Sequence, residues 1–303
     1  MSLTGAEAQA QVTAGIQQLI DDPTQWQAWA DTQAQFHQYS PGNTLLIMSQ
    51  KPEASLVAGY KTWQKLDRQV QKGEHGITIL APVTRKADKE EPTLSSSPPA
   101  SSKDETKTRT IVAFRPISVF DISQTDGKPL DLPRAKDIFG DNMKELLDHL
   151  TLHAVPVPVK YEELEPGTYG VWKPKEGTIT LSPKSDPNMQ LASLMHEWSH
   201  SVGIPDPEAA KNRHQGQEEV TAETTAYIAS KMMGLDTKGF SQAYVAGWGE
   251  MDPAKIKATM AEVTHRVKVI TDTIEQSNDP MLQRLAATWS PTAQQQPLQE
   301  MAR

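Results

Sequence analysis

The chain has 303 residues, 37% of them hydrophobic, a formal net charge of -8 and no cysteine. That length allows two domains with separate cores, and the acidity argues against a uniformly basic nucleic-acid-binding surface. The missing thiols exclude disulfides and thiolate metal sites, so any zinc centre must use nitrogen and oxygen ligands.

Residues 1–22 have no basic region followed by an apolar core, and nowhere do the roughly eighteen consecutive apolar residues of a membrane span occur. The expected location is the cytoplasm. Residues 4–21 and 24–39 read as helices, the second opening after Asp22-Pro23 and carrying Trp26, Trp29 and Phe36, which belong in a core. Ser40-Pro41-Gly42 breaks the pattern, and residues 43–48 resume as a short apolar helix ending before Lys51-Pro52.

From Tyr60 to Lys72 the sequence YKTWQKLDRQVQK interleaves Lys61, Lys65, Arg68 and Lys72 with Tyr60 and Trp63, opposed by Asp67. Cations for phosphates and rings for bases are what single-stranded nucleic acid requires. The competing reading is an amphipathic segment with Trp63, Leu66 and Val70 buried and the lysines solvated.

Gly73-Glu74-His75-Gly76 turns the chain into a strand at residues 77–83, and strands at 110–116 and 118–121 follow. Residues 86–108 contain Ser95-Ser96-Ser97-Pro98-Pro99 and almost no apolar side chain, so they read as a mobile hairpin insertion. The Gly-, Pro- and Asp-rich stretch 124–133 is the better domain boundary. Beyond it, residues 143–153 read as a helix and 155–161 as extended chain. Residues 169–172 and 178–181 form a hairpin whose strand could hold an extended peptide by β-addition.

The most informative stretch runs from Leu191 to Gly203. Leu191, Leu194, Met195, Trp198 and Val202 recur at helical spacing, Asp186 and Pro187 start the helix, and Gly203 with Pro205 stops it. His196 and His200 are four residues apart, so they share a face and can converge on one ion with Glu197 beside it, the HExxH spacing of metalloproteases. The alternative is a surface helix on which these residues meet by accident.

Zinc in a catalytic site takes three protein ligands and leaves one position for water. A following helix carries Glu218, Glu219 and Glu223 ahead of residues 226–229 and a stop at Gly234. Glu219 is the first choice for the third ligand, with Glu223 orienting a histidine, although the two roles are exchangeable. All three could instead form a solvated acidic face. Asp206 is the rival ligand, because residues 196–206 also fit HExxHxxGxxD; that scheme wants a methionine turn, for which Met251 is the loop candidate. Residues 240–248 and 253–275 read as helices, and the tail from Ser277 reads as polar and frayed.

Several short motifs recur together in one family. They are Tyr39-Ser40 with Asn43 and Leu45-Leu46, Gln50-Lys51-Pro52, Gly59-Tyr60-Lys61-Thr62-Trp63, and Lys72-Gly73-Glu74 with Gly76-Ile77. Val119-Phe120-Asp121 with Gln124-Thr125, His196-Glu197 with His200, residues 219–227, and Tyr244-Val245-Ala246-Gly247-Trp248 complete the set. In these the chain resembles the ArdC-type antirestriction proteins, which pair an N-terminal single-stranded-DNA-binding domain with a zincin-like metallopeptidase domain.

The resemblance implies an α+β fold, with a DNA-binding domain at residues 1–130 and a metallopeptidase domain at 131–303. It implies that Lys61, Trp63, Lys65, Arg68 and Lys72 lie in or near the DNA-binding domain, and it favours Glu219 over Asp206. The expected protein binds single-stranded DNA, protects incoming mobile-element DNA, and holds Zn2+ on His196, His200 and Glu219, with Glu197 as general base toward a peptide substrate. Two other readings stand beside it. One is a regulatory zinc metalloprotease that cleaves a repressor or a DNA-bound protein, and the other is a non-catalytic DNA-binding protein whose zinc only holds the fold.

Overall fold

Helix α1 (Gly5–Asp21) begins where Thr4 can cap it: Thr4 accepts from the Glu7 N–H while the Glu7 carboxylate accepts from the Thr4 N–H, and Ala8, Val12, Ile16 and Leu19 form the buried face. A computed structural model of the chain describes residues 2–22, 24–86, 109–130, 134–206, 208, 215–235 and 252–289. The expected insertion (except residue 86), the expected helix at 240–248 and Met251 lie outside the described residues.

Helix α2 (Thr24–Gln35) is shorter than expected and buries Trp26 and Trp29, whose rings pack 4.8 Å apart. Helix α3 (Pro41–Gln50) starts on Ser40, which accepts from the Asn43 N–H, with Pro41 in the first turn. Strands β1 (Val57–Ala58), β3 (Ile77–Lys86) and β4 (Arg109–Asp121) form an antiparallel sheet in the order β1-β4-β3. The two strands expected at 110–116 and 118–121 are one, running through Pro116. Proline is tolerated there because β1 pairs with β4 only at Phe120 and Asp121, so Pro116 sits where β4 is an edge. Between these strands, α4 (Tyr60–Lys65) leads into β2 (Arg68–Val70), which pairs with β5 (Thr125–Gly127).

The second half opens with α5 (Lys136–Phe139) and α6 (Met143–His153). Strands β6 (Val159–Tyr161), β7 (Gly170–Lys173) and β8 (Thr178–Leu181) form a small mixed sheet in the order β6-β8-β7, so β7 is an edge. Helices α7 (Pro187–Gly203), α8 (Gln215–Met232), α9 (Pro253–Glu275) and α10 (Pro280–Trp289) follow. The architecture is α+β.

The frayed tail expected from Ser277 is corrected for residues 280–289. Asp279 caps α10, Leu282, Leu285, Ala286 and Trp289 are buried, and the Trp289 indole N–H donates to the Met232 carbonyl at 2.8 Å. The i, i+3, i+4, i+7 spacing of those four residues forms a complete apolar stripe within a polar stretch.

The main core does not follow the division at residue 130. Residues of α1, α2 and α3 share one apolar cluster with α6 to α10, while Phe36, Val57, Ile77, Ile79 and Val119 form a second and Leu56, Ala58 and Trp63 a third. Polar links cross the same seam: the Trp26 indole N–H donates to Thr224 Oγ1 at 3.0 Å, and the Tyr227 hydroxyl donates to Asp31 at 2.6 Å. A change of composition along the chain marks a connection rich in turns; it does not say which helices pack together. Among the described residues, no helix is long and apolar enough to cross a membrane.

Candidate metal centre and basic face

Helix α7 starts on Asp186, which accepts from the N–H groups of Asn188 and Met189. Leu191, Leu194, Met195 and Trp198 are fully buried on its inner side and fix its rotation. His196 and His200 consequently face α8. Their Nε2 atoms lie 3.0 Å apart, and Glu219 Oε2 lies 3.5 Å from the first and 3.6 Å from the second. An ion held tetrahedrally at about 2.0–2.1 Å requires donors roughly 3.3 Å from one another, so the three atoms fit a divalent cation of zinc size. Asp206 is not in this cluster; it is exposed, and its carboxylate accepts from the Glu208 N–H.

Each imidazole is backed by a further carboxylate. Glu223 Oε2 lies 3.0 Å from His196 Nδ1, and Glu218 Oε1 lies 3.1 Å from His200 Nδ1. Glu218 had no assigned role in the sequence. It is held by Arg266 of α9 in a fork, Nη1 to Oε1 at 2.7 Å and Nη2 to Oε2 at 2.8 Å. Arg266 is fully buried, and it also donates to Glu262 at 3.1 Å and to the Ser199 carbonyl at 3.2 Å. No spacing rule links residue 266 to the HExxH helix, so the sequence carries no signal for it.

These surroundings set the protonation states. Burial would lower the pKa of His196, but the carboxylates of Glu219 and Glu223 overcome it and raise the value to about 10. Burial likewise opposes a raised His200, which Glu218 and Glu219 bring about. The two imidazoles hold Glu219 far below the carboxylate range, and against its burial Glu218 is brought to about 2 by His200 and Arg266. A divalent cation at the site would compete for these nitrogen and oxygen atoms with the protons that the carboxylates favour on the imidazoles.

Glu197 lies beneath β7 and lines the same cleft as the two histidines. It is 8% exposed, and its Oε2 accepts from the Trp172 N–H at 2.6 Å. Burial raises its pKa, the direction a general base requires. The close approach depends on Gly170, where an added Cβ would stand 2.9 Å from Glu197 Cγ. The Trp172 indole N–H donates to the Ile204 carbonyl at 2.7 Å and ties β7 to the end of α7. An open cleft of ≈ 560 Å³ lies between β7 and α8, lined by Val171, Trp172, His196, Glu197, His200 and Glu219 among others.

The basic segment divides. Lys61, Lys65 and Lys72 are exposed. Trp63 is corrected: it is fully buried, its indole N–H donates to the Phe120 carbonyl at 2.9 Å, and it has no face to offer a base. On the short helix α4, residues 62 and 63 are buried while 60, 61, 64 and 65 are exposed. Arg68 is half-buried, with its guanidinium donating to Thr125 Oγ1 at 2.8 Å, the Thr125 carbonyl at 2.7 Å and the Lys128 carbonyl at 2.7 Å. It joins β2 to β5. The aromatic ring on the lysine side is Tyr60, which is 44% exposed.

Residues 6–120 match the family described as the N-terminal domain of anti-restriction factor ArdC. An uncharacterised protein of Bacillus anthracis, pXO2-81, is 26% identical over 271 residues, covering 80% of this chain and 46% of its own length. The chain thus spans about half the length of that curated relative. Among solved structures, the Mn(II)-bound crystal structure of antirestriction protein ArdC from plasmid R388 matches with a TM-score of 0.48 at 19% identity, covering 78% of this chain and 84% of that one. The metal-free structure of the same protein matches at 0.44 and 18% identity, over 82% and 85% of the two chains.

Proposed function

We propose that the chain, whose residues 6–120 match the N-terminal domain of anti-restriction factor ArdC, is an antirestriction-type protein that binds single-stranded DNA and carries a zinc-dependent metallopeptidase site. The observation that carries the second half is the convergence of His196 Nε2, His200 Nε2 and Glu219 Oε2 to within 3.6 Å of one another. A zinc ion there would supply Lewis-acid activation of water and of a scissile carbonyl.

The chain's own residues would do the remainder. Glu223 and Glu218 hold the two imidazoles in orientation through their Nδ1 atoms. Glu197, fixed by the Trp172 N–H on one carboxylate oxygen, takes up a proton on the other and returns it to the leaving amine. Strand β7, an edge along the cleft, would align an extended peptide; its Trp172 N–H is spent on Glu197, so pairing falls to the neighbouring edge groups. Lys61, Lys65 and Lys72, with the ring of Tyr60, would meet the sugar–phosphate chain and bases of single-stranded DNA in place of the set that included Trp63. In the cell such a protein would cover incoming mobile-element DNA, a role that locates it in the cytoplasm.

Two measurements on the purified full chain test this. Elemental analysis is expected to find zinc in preference to manganese, retained by the chain and reduced by His196→Ala with His200→Ala. Fluorescence anisotropy is expected to find tighter binding to a single-stranded oligonucleotide than to its duplex. Equal affinity for the two DNA forms would remove the first half of the proposal, and a metal content untouched by the two substitutions would remove the second.

A further inference from the structure

A second group of side chains with metal-ligand chemistry lies at the C-terminal end of α6. His149 and His153 are four residues apart on that helix, and Asp279 reaches them from the turn between α9 and α10. The candidate donor atoms of the three residues all lie within 4.8 Å of one another. Both rings approach the same carboxylate oxygen: His149 Nδ1 is 2.9 Å and His153 Nε2 3.7 Å from Asp279 Oδ2. The other oxygen, Oδ1, is engaged separately, accepting from the N–H groups of Met281 at 3.0 Å and Leu282 at 2.9 Å as the cap of α10.

The placement of Asp279 does not depend on the histidines. Ser277 Oγ donates to the His153 carbonyl at 3.0 Å and accepts from the Asp279 N–H at 3.1 Å, so the turn is already fastened to the end of α6. The His149 ring is oriented by Phe139, packed edge-on at 6.0 Å. The side chains of His149, His153 and Asp279 are 25%, 48% and 8% exposed. The carboxylate is therefore recessed while the rings open to water, which can complete a coordination shell. A simple ion pair would use one imidazolium on Oδ2; here two rings converge on that oxygen while Oδ1 serves the helix.

We propose that His149, His153 and Asp279 form a second divalent-metal site, separate from the α7–α8 centre, that takes a borderline ion such as Zn2+, Co2+ or Ni2+ and clamps α10 onto α6. Two imidazoles and one carboxylate suit those ions better than Ca2+ or Mg2+, which favour all-oxygen shells. The clamp joins residues 130 positions apart in sequence and secures the helix whose Trp289 closes the core against Met232.

Titration of the metal-stripped full chain with Co2+, followed by visible absorption and elemental analysis, tests it. The native chain is expected to bind two ions and the His149→Ala, His153→Ala variant one. A His196→Ala, His200→Ala variant, with the first centre disabled, should still bind one ion and show a rise in Tm on addition of Zn2+. Adding Asp279→Asn to that variant keeps a capping oxygen and is expected to weaken the remaining binding at least tenfold. Should the first double variant still bind as many ions as the native chain, the cluster is an imidazolium–carboxylate pair and the proposal fails. If instead the native chain binds one ion, lost with His149 and His153, the α7–α8 reading fails and this one stands.

Discussion

Gly203, the last residue of α7, lies against the guanidinium of Arg266: a Cβ at position 203 would stand 1.9 Å from Nη2 and 2.2 Å from Cζ. The absence of a side chain there lets a fully buried arginine cross from α9 to the carboxylate of Glu218, and through Glu218 to Nδ1 of His200. A residue that reads in sequence as a helix stop therefore also controls the orientation of a metal-ligating candidate from a distance.

Breaking that relay should cost stability and metal affinity together. Removing one member of a buried ion pair leaves the other uncompensated, at about 3–5 kcal/mol. Arg266→Met is expected to lower the urea-unfolding free energy by that order, and Gly203→Ala should do the same by displacing the guanidinium. Glu218→Gln added to Arg266→Met should recover much of the loss in stability while leaving metal affinity roughly 10- to 100-fold weaker, since His200 stays without its carboxylate. Metal affinity equal to that of the native chain in all three variants would show that the relay does not reach the site.

Glu197→Gln separates catalysis from binding. The substitution keeps the side-chain shape but removes the proton acceptor, so hydrolysis is expected to fall roughly 10²- to 10⁴-fold with metal content and DNA affinity unchanged. Peptide N-termini compared between cells expressing the native chain and cells expressing the variant provide the readout. Identical sets from the two would eliminate Glu197 as the base.

On the basic face the prediction divides by side chain. Replacing Lys61, Lys65 and Lys72 together by Ala should shallow the salt dependence of single-strand binding by about 2 in log–log slope, at roughly 0.7 per phosphate contact. Tyr60→Ala should weaken binding by about 1–3 kcal/mol through lost stacking. Trp63→Ala should instead destabilise the fold by about 3–5 kcal/mol, leaving the DNA affinity of the folded fraction unchanged. A stable Trp63→Ala protein with lost DNA binding would reverse the assignment of that residue to the core.

Acid should weaken the fold through His37. The ring is 5% exposed, and burial, then the charge of Lys268, lower its pKa to about 4, with Asp272 pulling weakly the other way. In the unfolded chain the value is about 6.5. Above that pH neither state binds the proton and the group contributes nothing. Between about 6.5 and about 4 only the unfolded chain binds it, so stability falls as pH falls, by about 2 kcal/mol on reaching pH 5. His37→Gln should remove that part of the loss when urea unfolding at pH 7.5 and pH 5 is compared.

The sequence by itself determined the local elements. Alternation and caps located α1, α6, α7 and the β7–β8 pair within a few residues, because those signals depend on neighbours along the chain, such as Asp186 before Pro187 and apolar residues at helical spacing; α3 begins two residues earlier than expected, since Ser40 and Pro41, which read as a break, are its cap and first turn. The two histidines share a face for the same reason, since four residues is about one helical turn. Tertiary structure alone decided which partners those faces meet. It brought Glu219 rather than Asp206 to the histidines, turned Trp63 inward, ran β4 unbroken through Pro116 and seated Trp289 against the Met232 carbonyl. It also set Arg266 behind Glu218. Each of these depends on contacts between segments far apart in the chain, where the deciding quantity is the space left by another element, and no periodicity within a single segment records that space.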